Sequence, residues 1–110
     1  MINKVIKNKQ AARRVANEMK KDIHDYIDFF GGYQVNVVDD RTRYFVIVTS
    51  SSACKILTNS VVPYIMEVFN AYRLVYGSIG YCVTVVEYED NDGYKDIRPA
   101  IQIEVYINDK

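Results

Sequence analysis

The segment that decides the fold is IGYCVTVVEYEDNDGYKDIRPAIQIEVYI, residues 79–107. Two runs rich in β-branched and aromatic residues, 79–89 and 97–107, flank a polar stretch that contains Asp92-Gly93. β-Branched and aromatic residues favour strands, and Asp-Gly favours a tight type I′ turn. The segment therefore predicts a long β-hairpin with an acidic tip.

Cross-strand charge predicts the register of this hairpin. A two-residue loop at Asp92-Gly93 pairs Asp90 with Lys95 and Glu87 with Arg98, so that opposite charges face each other. In this register one face of the hairpin carries Cys82, Thr84, Val86, Tyr88, Ile97, Ile101, Ile103, Val105 and Ile107. The other face carries Tyr81, Val83, Val85, Ala100, Gln102, Glu104 and Tyr106.

Proline and glycine positions mark further boundaries in the chain. Pro99 cannot donate a ladder hydrogen bond, so the last strand is expected at the edge of its sheet. Pro63 is expected in the first turn of a helix that extends from its N-cap at Ser60 to Tyr76, with Gly77 as stop. The connector that begins at Ser50 is expected to hold a short helical turn.

The first third of the chain predicts a long helix. Apolar residues recur at steps of three and four between Lys9 and Phe30, which is the spacing of one helix face. Asn8 is a suitable N-cap, and Gly31-Gly32 is a suitable stop because glycine accepts positive φ.

A first hairpin follows this helix. Its strands are predicted over 33–38 and 43–49, with Val38 opposite Arg43. One face then carries Tyr33, Val35, Val37, Tyr44, Val46 and Val48.

The order of elements is therefore α-β-β-α-β-β, which predicts an α+β fold in a single domain over 1–110. Short connections favour a four-stranded, mainly antiparallel sheet with both helices on one face. Residues 32–38 and 80–86 match at five of seven positions. The chain is thus either a duplication of two αββ half-repeats, 1–49 and 50–110, or a coincidence of valine-rich strands.

Composition excludes several classes of protein. The 110 residues include 14 basic and 14 acidic groups, so the formal net charge is zero, and 49% of the residues are hydrophobic. This composition is typical of a globular domain and argues against wholesale binding to nucleic acid or to an anionic membrane. The sequence has no apolar run long enough for a membrane span and starts without the apolar region of a signal peptide, so a cytoplasmic location is expected. Cys54 and Cys82 are expected to be buried thiols.

Catalytic chemistry has weak support in the sequence. His24 could be a general base oriented by Asp28, but the helical i,i+4 spacing explains this pair equally well as a surface contact. Asp90, Asp92 and Asp96 resemble part of a calcium loop, although its closing glutamate is absent. We therefore predict no enzymatic activity, no catalytic residue, no cofactor and no metal.

The predicted sheet has a second face that two helices cannot cover. An open apolar face predicts self-association or another protein partner, and tyrosine, which interfaces favour, occurs ten times. The basic helix start could contact phosphates, an acidic protein surface or only solvent, and nucleic acid is not the expected partner. The candidate interface residues are Tyr33, Tyr44, Tyr81, Tyr94, Tyr106, Glu87, Glu89, Asp90, Asp92, Arg98, Lys9, Arg13 and Arg14.

The order and size of the elements, carried by 8–30, 33–49, 60–76 and 79–107, resemble the small tail-terminator and tail-completion (neck) proteins of long-tailed bacteriophages. The middle hairpin is more compact than the longer loops of such proteins. The resemblance implies a viral, ring-forming structural protein in the host cytoplasm or virion. The leading hypothesis is thus a non-enzymatic assembly protein that acts through self-association. The alternative is a small inhibitor or adaptor, such as a phage anti-defence factor, that binds a basic partner with its acidic hairpin.

Overall fold

The computed structural model describes residues 4–28, 31–41, 43–50, 61–89 and 91–107. Their order is that of the predicted α+β fold. The elements are α1 (Lys9–Ile27), β1 (Tyr33–Asp40), β2 (Arg43–Ser50), α2 (Val62–Val75), β3 (Ile79–Glu89) and β4 (Lys95–Tyr106).

Helix α1 begins where its N-cap predicts. The Asn8 side chain accepts a 2.8 Å hydrogen bond from the Ala11 amide, which satisfies one of the free N–H groups of the first turn. The helix ends at Ile27, earlier than the predicted Phe30, which lies outside the described residues. Gly31 and Gly32 have φ of 67° and 74°, which confirms the need for glycine after the helix.

Helix α2 has Pro63 in its first turn, as predicted. Its N-cap is Val61, which makes no side-chain capping bond, and it ends before Tyr76, one residue ahead of the predicted Gly77. The predicted cap Ser60 and the turn expected in the connector lie outside the described residues. The Lys4 amide donates a 2.7 Å hydrogen bond to the Val75 carbonyl, so the start of the chain lies beside the end of α2.

The first hairpin has a tighter turn than predicted. Asp40 lies opposite Arg43, so Val38 pairs with Phe45 instead of Arg43. Arg41, in the two-residue loop, has φ of 40°, as a primed turn requires. Because the shift is two residues, the predicted face is unchanged, and Val35, Tyr44, Val46 and Val48 are all buried.

The register predicted for the second hairpin is wrong by one residue. Glu89 lies opposite Lys95 and Val83 opposite Ile101, so the connection has five residues, 90–94, and Gly93 has φ of 81°. A shift of one residue exchanges the two faces of β3 relative to those of β4. Tyr81, Val83 and Val85 therefore lie on the same face as Ile101. Continuity of this apolar face is worth more than the charge pairs on which the prediction relied.

The prediction that Pro99 marks an edge strand is also wrong. The sheet order is β1-β2-β4-β3, so β4 is central and the edges are β1 and β3. Pairing of β2 with β4 ends at Thr49 and Ala100, one residue before Pro99. The Thr49 hydroxyl donates a 3.1 Å hydrogen bond to the Pro99 carbonyl, so the backbone of Pro99 faces the end of β2. Because the β2–β4 ladder has already ended there, the missing N–H of Pro99 breaks no ladder hydrogen bond.

Both helices pack on one face of the sheet, which we call the covered face. Its core combines valine and isoleucine side chains of the four strands, together with Tyr44, with the buried stripes of both helices. The buried members of that core that come from the helices are Ala12, Val15, Ala16, Met19, Ile23, Ile27, Ile65, Val68 and Phe69. Ile6, which precedes α1, is also fully buried in this core.

Candidate self-association surface

The β3–β4 hairpin extends beyond the rest of the sheet. The β2–β4 ladder stops at Ala100, whereas β3 and β4 remain paired from Val85 and Pro99 to Glu89 and Lys95. We call residues 85–99 the arm. Since a strand rises about 3.4 Å per residue, the five steps from Ala100 to Lys95 carry the hairpin about 17 Å past the last β2–β4 pair.

The face of the sheet that packs against the helices continues onto the arm, where its side chains are exposed. Along β4, the exposed fraction rises from 2% at Ile101 to 70% at Ile97, although both side chains are on the same face. Along β3, Val83 and Val85 are 72% and 63% exposed, whereas Ile79 is buried. Three aliphatic side chains in contiguous positions are therefore left in water.

The helices explain where the cover stops. Helix α2 meets β3 near its start, where the ring of Phe69 packs edge-on against Tyr81 with centroids 5.0 Å apart. Helix α1 lies over β1, β2 and the inner part of β4. Tyr81 is thus half-exposed at the boundary, and neither of the two described helices extends over the strand residues beyond it.

The outer edge of β3 pairs with no other described strand, and its outward-pointing backbone groups belong to particular residues. The Tyr106 amide donates a 3.0 Å hydrogen bond to the Ser78 carbonyl, so the even-numbered residues of β3 point their backbone groups at β4. The orientation of Pro99 opposite Val85 agrees with this alternation. The odd-numbered residues, which include Tyr81, Val83 and Val85, therefore point their N–H and C=O groups away from the sheet.

The other edge of the sheet, β1, has charged and polar groups. Asp39 forms a 2.7 Å ion pair with Lys9 of α1, and this hydrogen bond raises the pKa of the lysine. A polar groove of about 460 Å³ lies between α1 and β1 and is lined by Arg13, Asn17, Lys20, Asn36, Val37, Asp39 and Tyr44. Charges of this kind are a common protection against edge-to-edge pairing.

The predicted interface tyrosines lie in different environments. Tyr44 is buried in the core, and Tyr33 packs against it, so the prediction that Tyr44 is presented to a partner is wrong. Tyr106 is half-buried on the open face of the sheet, where its hydroxyl donates to Glu104. Only Tyr81 and Tyr94, of the five, are exposed on or next to the arm.

The predicted interface charges are also divided. Glu87 forms a 3.3 Å ion pair with Lys95 on the arm, and Glu89 and Asp92 are exposed nearby. Arg98 is buried, contrary to its prediction as an interface residue, and Asp90 lies outside the described residues. Arg13 and Arg14 are exposed on α1, on the far side of the sheet from β3.

Two tyrosines join the helices above the core. The Tyr72 hydroxyl donates a 2.6 Å hydrogen bond to Asp22, and the Tyr26 hydroxyl donates a 2.9 Å bond to Glu67. Burial, followed by the bond to Asp22, raises the pKa of Tyr72, and the bond to Glu67 raises the pKa of Tyr26. These contacts fasten α2 to α1, so they stabilise the covered part of the molecule.

His24 lies on the exposed side of α1. Its Nε2 atom is 3.6 Å from Asp28, which is the i,i+4 contact that the helical spacing predicts. Its Nδ1 atom is 3.9 Å from the neighbouring Asp25. Within the described part of the chain, no three histidine, cysteine or carboxylate side chains are close enough together to hold a metal ion. Cys82 is a free, exposed thiol, which corrects the expectation that it is buried.

Sequence reasoning missed the residues that extend the apolar face beyond the helices and onto the arm. Val83, Val85 and Ile97 were placed on strands but were not recognised as exposed, because strand periodicity does not show where the helices end. Arg73 of α2 was missed as well. The exposed Arg73 contacts no acidic group among the described residues.

Neither of the described helices is long and apolar enough to cross a membrane. Comparison of the chain with known protein families, with curated proteins and with solved structures found no match.

Proposed function

We propose that this chain is a non-enzymatic structural or assembly protein that works by self-association through its arm and the free edge of β3. The observation that carries this proposal is the run of exposed aliphatic side chains Val83, Val85 and Ile97 on the face that elsewhere forms the core. Complete burial of one Val or Ile side chain is worth about 1.5–3 kcal/mol, so covering three of them is a substantial driving force.

The backbone supports the same proposal. The edge strand β3 has eleven residues, and its outward N–H and C=O groups have no backbone partner among the described residues. One of these groups, the Val85 carbonyl, accepts a weak 3.5 Å hydrogen bond from the Thr84 hydroxyl. Such an edge is a template for another strand. Among the residues of β3, Ile79 to Val86 carry no charge that would oppose such pairing. Apolar side chains and outward-pointing backbone groups thus coincide on the same odd-numbered residues.

The resemblance to phage neck and tail proteins gives the proposal its most specific form, a component of a ring in a virion or its precursor. The length of the chain and the order of its helices and strands support this form of the proposal. The host cytoplasm or the virion is the location that it predicts.

Light scattering coupled to size-exclusion chromatography tests this function. The wild-type chain is expected to form an oligomer whose population rises with protein concentration, and Val83→Lys combined with Val85→Lys should give a folded monomer. Asn36→Lys on β1 is the matched control and should leave the oligomer intact. A wild-type chain that stays monomeric up to the highest attainable concentration would overturn the proposal.

A second candidate function uses the acidity of the same arm. Glu87, Glu89 and Asp92 are exposed at its end, which favours a small inhibitor or adaptor that binds a basic protein surface. In that case the chain is a monomer, and reversal of Glu87, Glu89, Asp90 and Asp92 to lysine abolishes binding to a basic partner. Unchanged binding by the reversed variant would exclude this function.

A further inference from the structure

We propose that two copies of this chain pair through their β3 strands, antiparallel and about a two-fold axis at Thr84, so that two four-stranded sheets form one sheet of eight strands. This inference rests on the proposed self-association and names its partner, a second copy, and its geometry. The odd-numbered residues of β3 supply the backbone donors and acceptors of the new ladder.

The distribution of charge along β3 selects the antiparallel direction. Glu87 and Glu89 are the acidic residues of the strand, and both are at its C-terminal end. A parallel pair of β3 strands would place the acidic ends of both copies side by side, which is unfavourable. An antiparallel pair separates them to opposite ends of the interface.

An axis at Thr84 uses the whole strand and covers its exposed residues. Each residue then lies opposite the residue that is equally far from Thr84 in the other direction. Ile79 of one copy therefore lies opposite Glu89 of the other, and every residue of β3 has a partner. Val83 of each copy lies opposite Val85 of its partner. A two-fold axis perpendicular to the sheet keeps the covered faces of both copies on the same side. The two valines of each copy therefore form one apolar patch across the two β3 strands.

Arg73 supplies the complementary charge. It follows Tyr72, which points to α1 through its bond with Asp22, and it lies one turn beyond Phe69, which packs on Tyr81. At 100° per residue, Arg73 is therefore turned away from α1, towards the β3 edge.

In the proposed pairing, Glu87 and Glu89 of one copy lie opposite Tyr81 and Ile79 of the other. Tyr81 packs against Phe69 of α2 within each copy, and Arg73 lies one turn beyond Phe69 on the same helix. The two glutamates of one copy therefore approach Arg73 of the other in this pairing. The two-fold axis repeats this contact at both ends of the interface. Charge complementarity thus specifies a second copy of this chain as the occupant of the edge.

The β1 edge is a poorer partner for β3. Asp39 and its ion pair with Lys9 lie at one end of β1, and Asp28 lies just before its start. If β3 of one copy paired with β1 of another copy without a shift along the strands, Glu87 would lie near the C-terminal end of the other copy's α1. That end of α1 carries Asp22, Asp25 and Asp28. Like charges there oppose the contact.

Disulfide trapping tests the pairing. Even-numbered β3 residues form the non-hydrogen-bonded pairs of the proposed ladder, whose Cα atoms are about 4.5 Å apart, within reach of a disulfide. In a chain with Cys54→Ser and Cys82→Ser, Thr84→Cys should give a covalent dimer under mild oxidation. The matched control, Asn36→Cys on β1, should give none. The Cys54→Ser variant keeps Cys82 and tests the alternative pairing in which the two-fold axis lies at Cys82, four residues out of the proposed register. Efficient cross-linking of this variant would overturn the axis at Thr84.

Charge exchange tests the contribution of Arg73. Arg73→Glu should weaken dimerisation at least tenfold, and adding Glu87→Arg and Glu89→Arg to the same chain should restore it. If the wild-type chain forms oligomers but Thr84→Cys does not cross-link, or Asn36→Cys does, this pairing is wrong while the proposed function stands. If the wild-type chain is monomeric, the proposed function itself fails.

Discussion

The two halves of the β3–β4 hairpin are built from the same kinds of residue but have opposite surroundings. In the inner half, Ile101 and Ile103 are buried under the helices, whereas in the arm Ile97 stands in water on the same face of the same strand. Both halves are paired strands with apolar residues at alternate positions. Among the described elements, the difference is whether α1 and α2 reach them.

This contrast shows that strand patterning specifies a face to be buried but not the element that buries it. In the inner half, the helices of the same chain supply the cover. At the β3 edge, where Val83 and Val85 are exposed, we propose that a second copy supplies it. A substitution in the inner half should therefore affect folding, and one in the arm should affect association.

The largest expected difference is between two isoleucines of β4. Ile101→Ala should lower the free energy of unfolding by about 2–5 kcal/mol, because it leaves a cavity in the core. Ile97→Ala should change it by less than about 0.5 kcal/mol at low protein concentration. Urea denaturation of both variants measures this. Equal losses would mean that the arm is packed against its own chain in solution.

Hydrogen exchange should show the same boundary along β3. In dilute protein, the amide of Val86 in the arm should be at least tenfold less protected than that of Gly80, which corresponds to about 1.4 kcal/mol of local stability. The amides of Val83 and Val85 point away from β4 and should gain protection as the concentration rises. Protection of these two amides that does not depend on concentration would contradict pairing between copies.

A smaller effect is expected where α2 is fastened to α1 over the inner half. Tyr72→Phe removes the hydrogen bond to Asp22 and should cost about 1 kcal/mol at neutral pH.

This effect should also depend on pH. Because folding raises the pKa of Tyr72, chiefly through burial, its stabilisation is complete below the unfolded-state pKa of about 10 and is lost as the pH rises towards the folded-state value. Urea unfolding from pH 8 upwards should therefore show a steeper alkaline decline in the wild type than in the variant. Parallel declines would exclude Tyr72 as the titrating group.

The smallest effect is expected for the ion pair on the arm. Glu87→Gln removes an exposed contact with Lys95 and should change the free energy of unfolding of the dilute protein by less than about 0.5 kcal/mol. Glu89→Gln is the matched control, since no ion pair between Glu89 and another described residue is seen. A loss above 1 kcal/mol that is specific to Glu87 would show that the pair stabilises the arm itself.

Much of the local structure was predictable because its causes lie within a few residues. The N-cap at Asn8, the position of Pro63 and the bounds of β3 follow from side-chain hydrogen bonds, proline geometry and strand propensity. The covered face of the first hairpin also follows from alternation alone. Its register differed by two residues, which leaves each side chain on its face.

Predictions that needed the position of a distant element were less successful. The register of β3 against β4 followed the apolar face over the core and not the charge pairs near the loop. Pro99 was tolerated in a central strand because β2 ends beside it. The acidic part of the candidate surface was predicted from its charges, but its apolar part was not, because exposure of Val83 and Ile97 depends on the lengths of other elements.

The sequence by itself determined the six elements, their order and the α+β class, since helix and strand periodicities and turn residues act locally. The tertiary structure decided the strand order β1-β2-β4-β3, the register of the second hairpin and the place where the helices stop covering the sheet. These features depend on packing between residues far apart in the chain, where burial of apolar area outweighs a local charge pair or a proline preference. The uncovered arm, on which the proposed function relies, is a result of that packing.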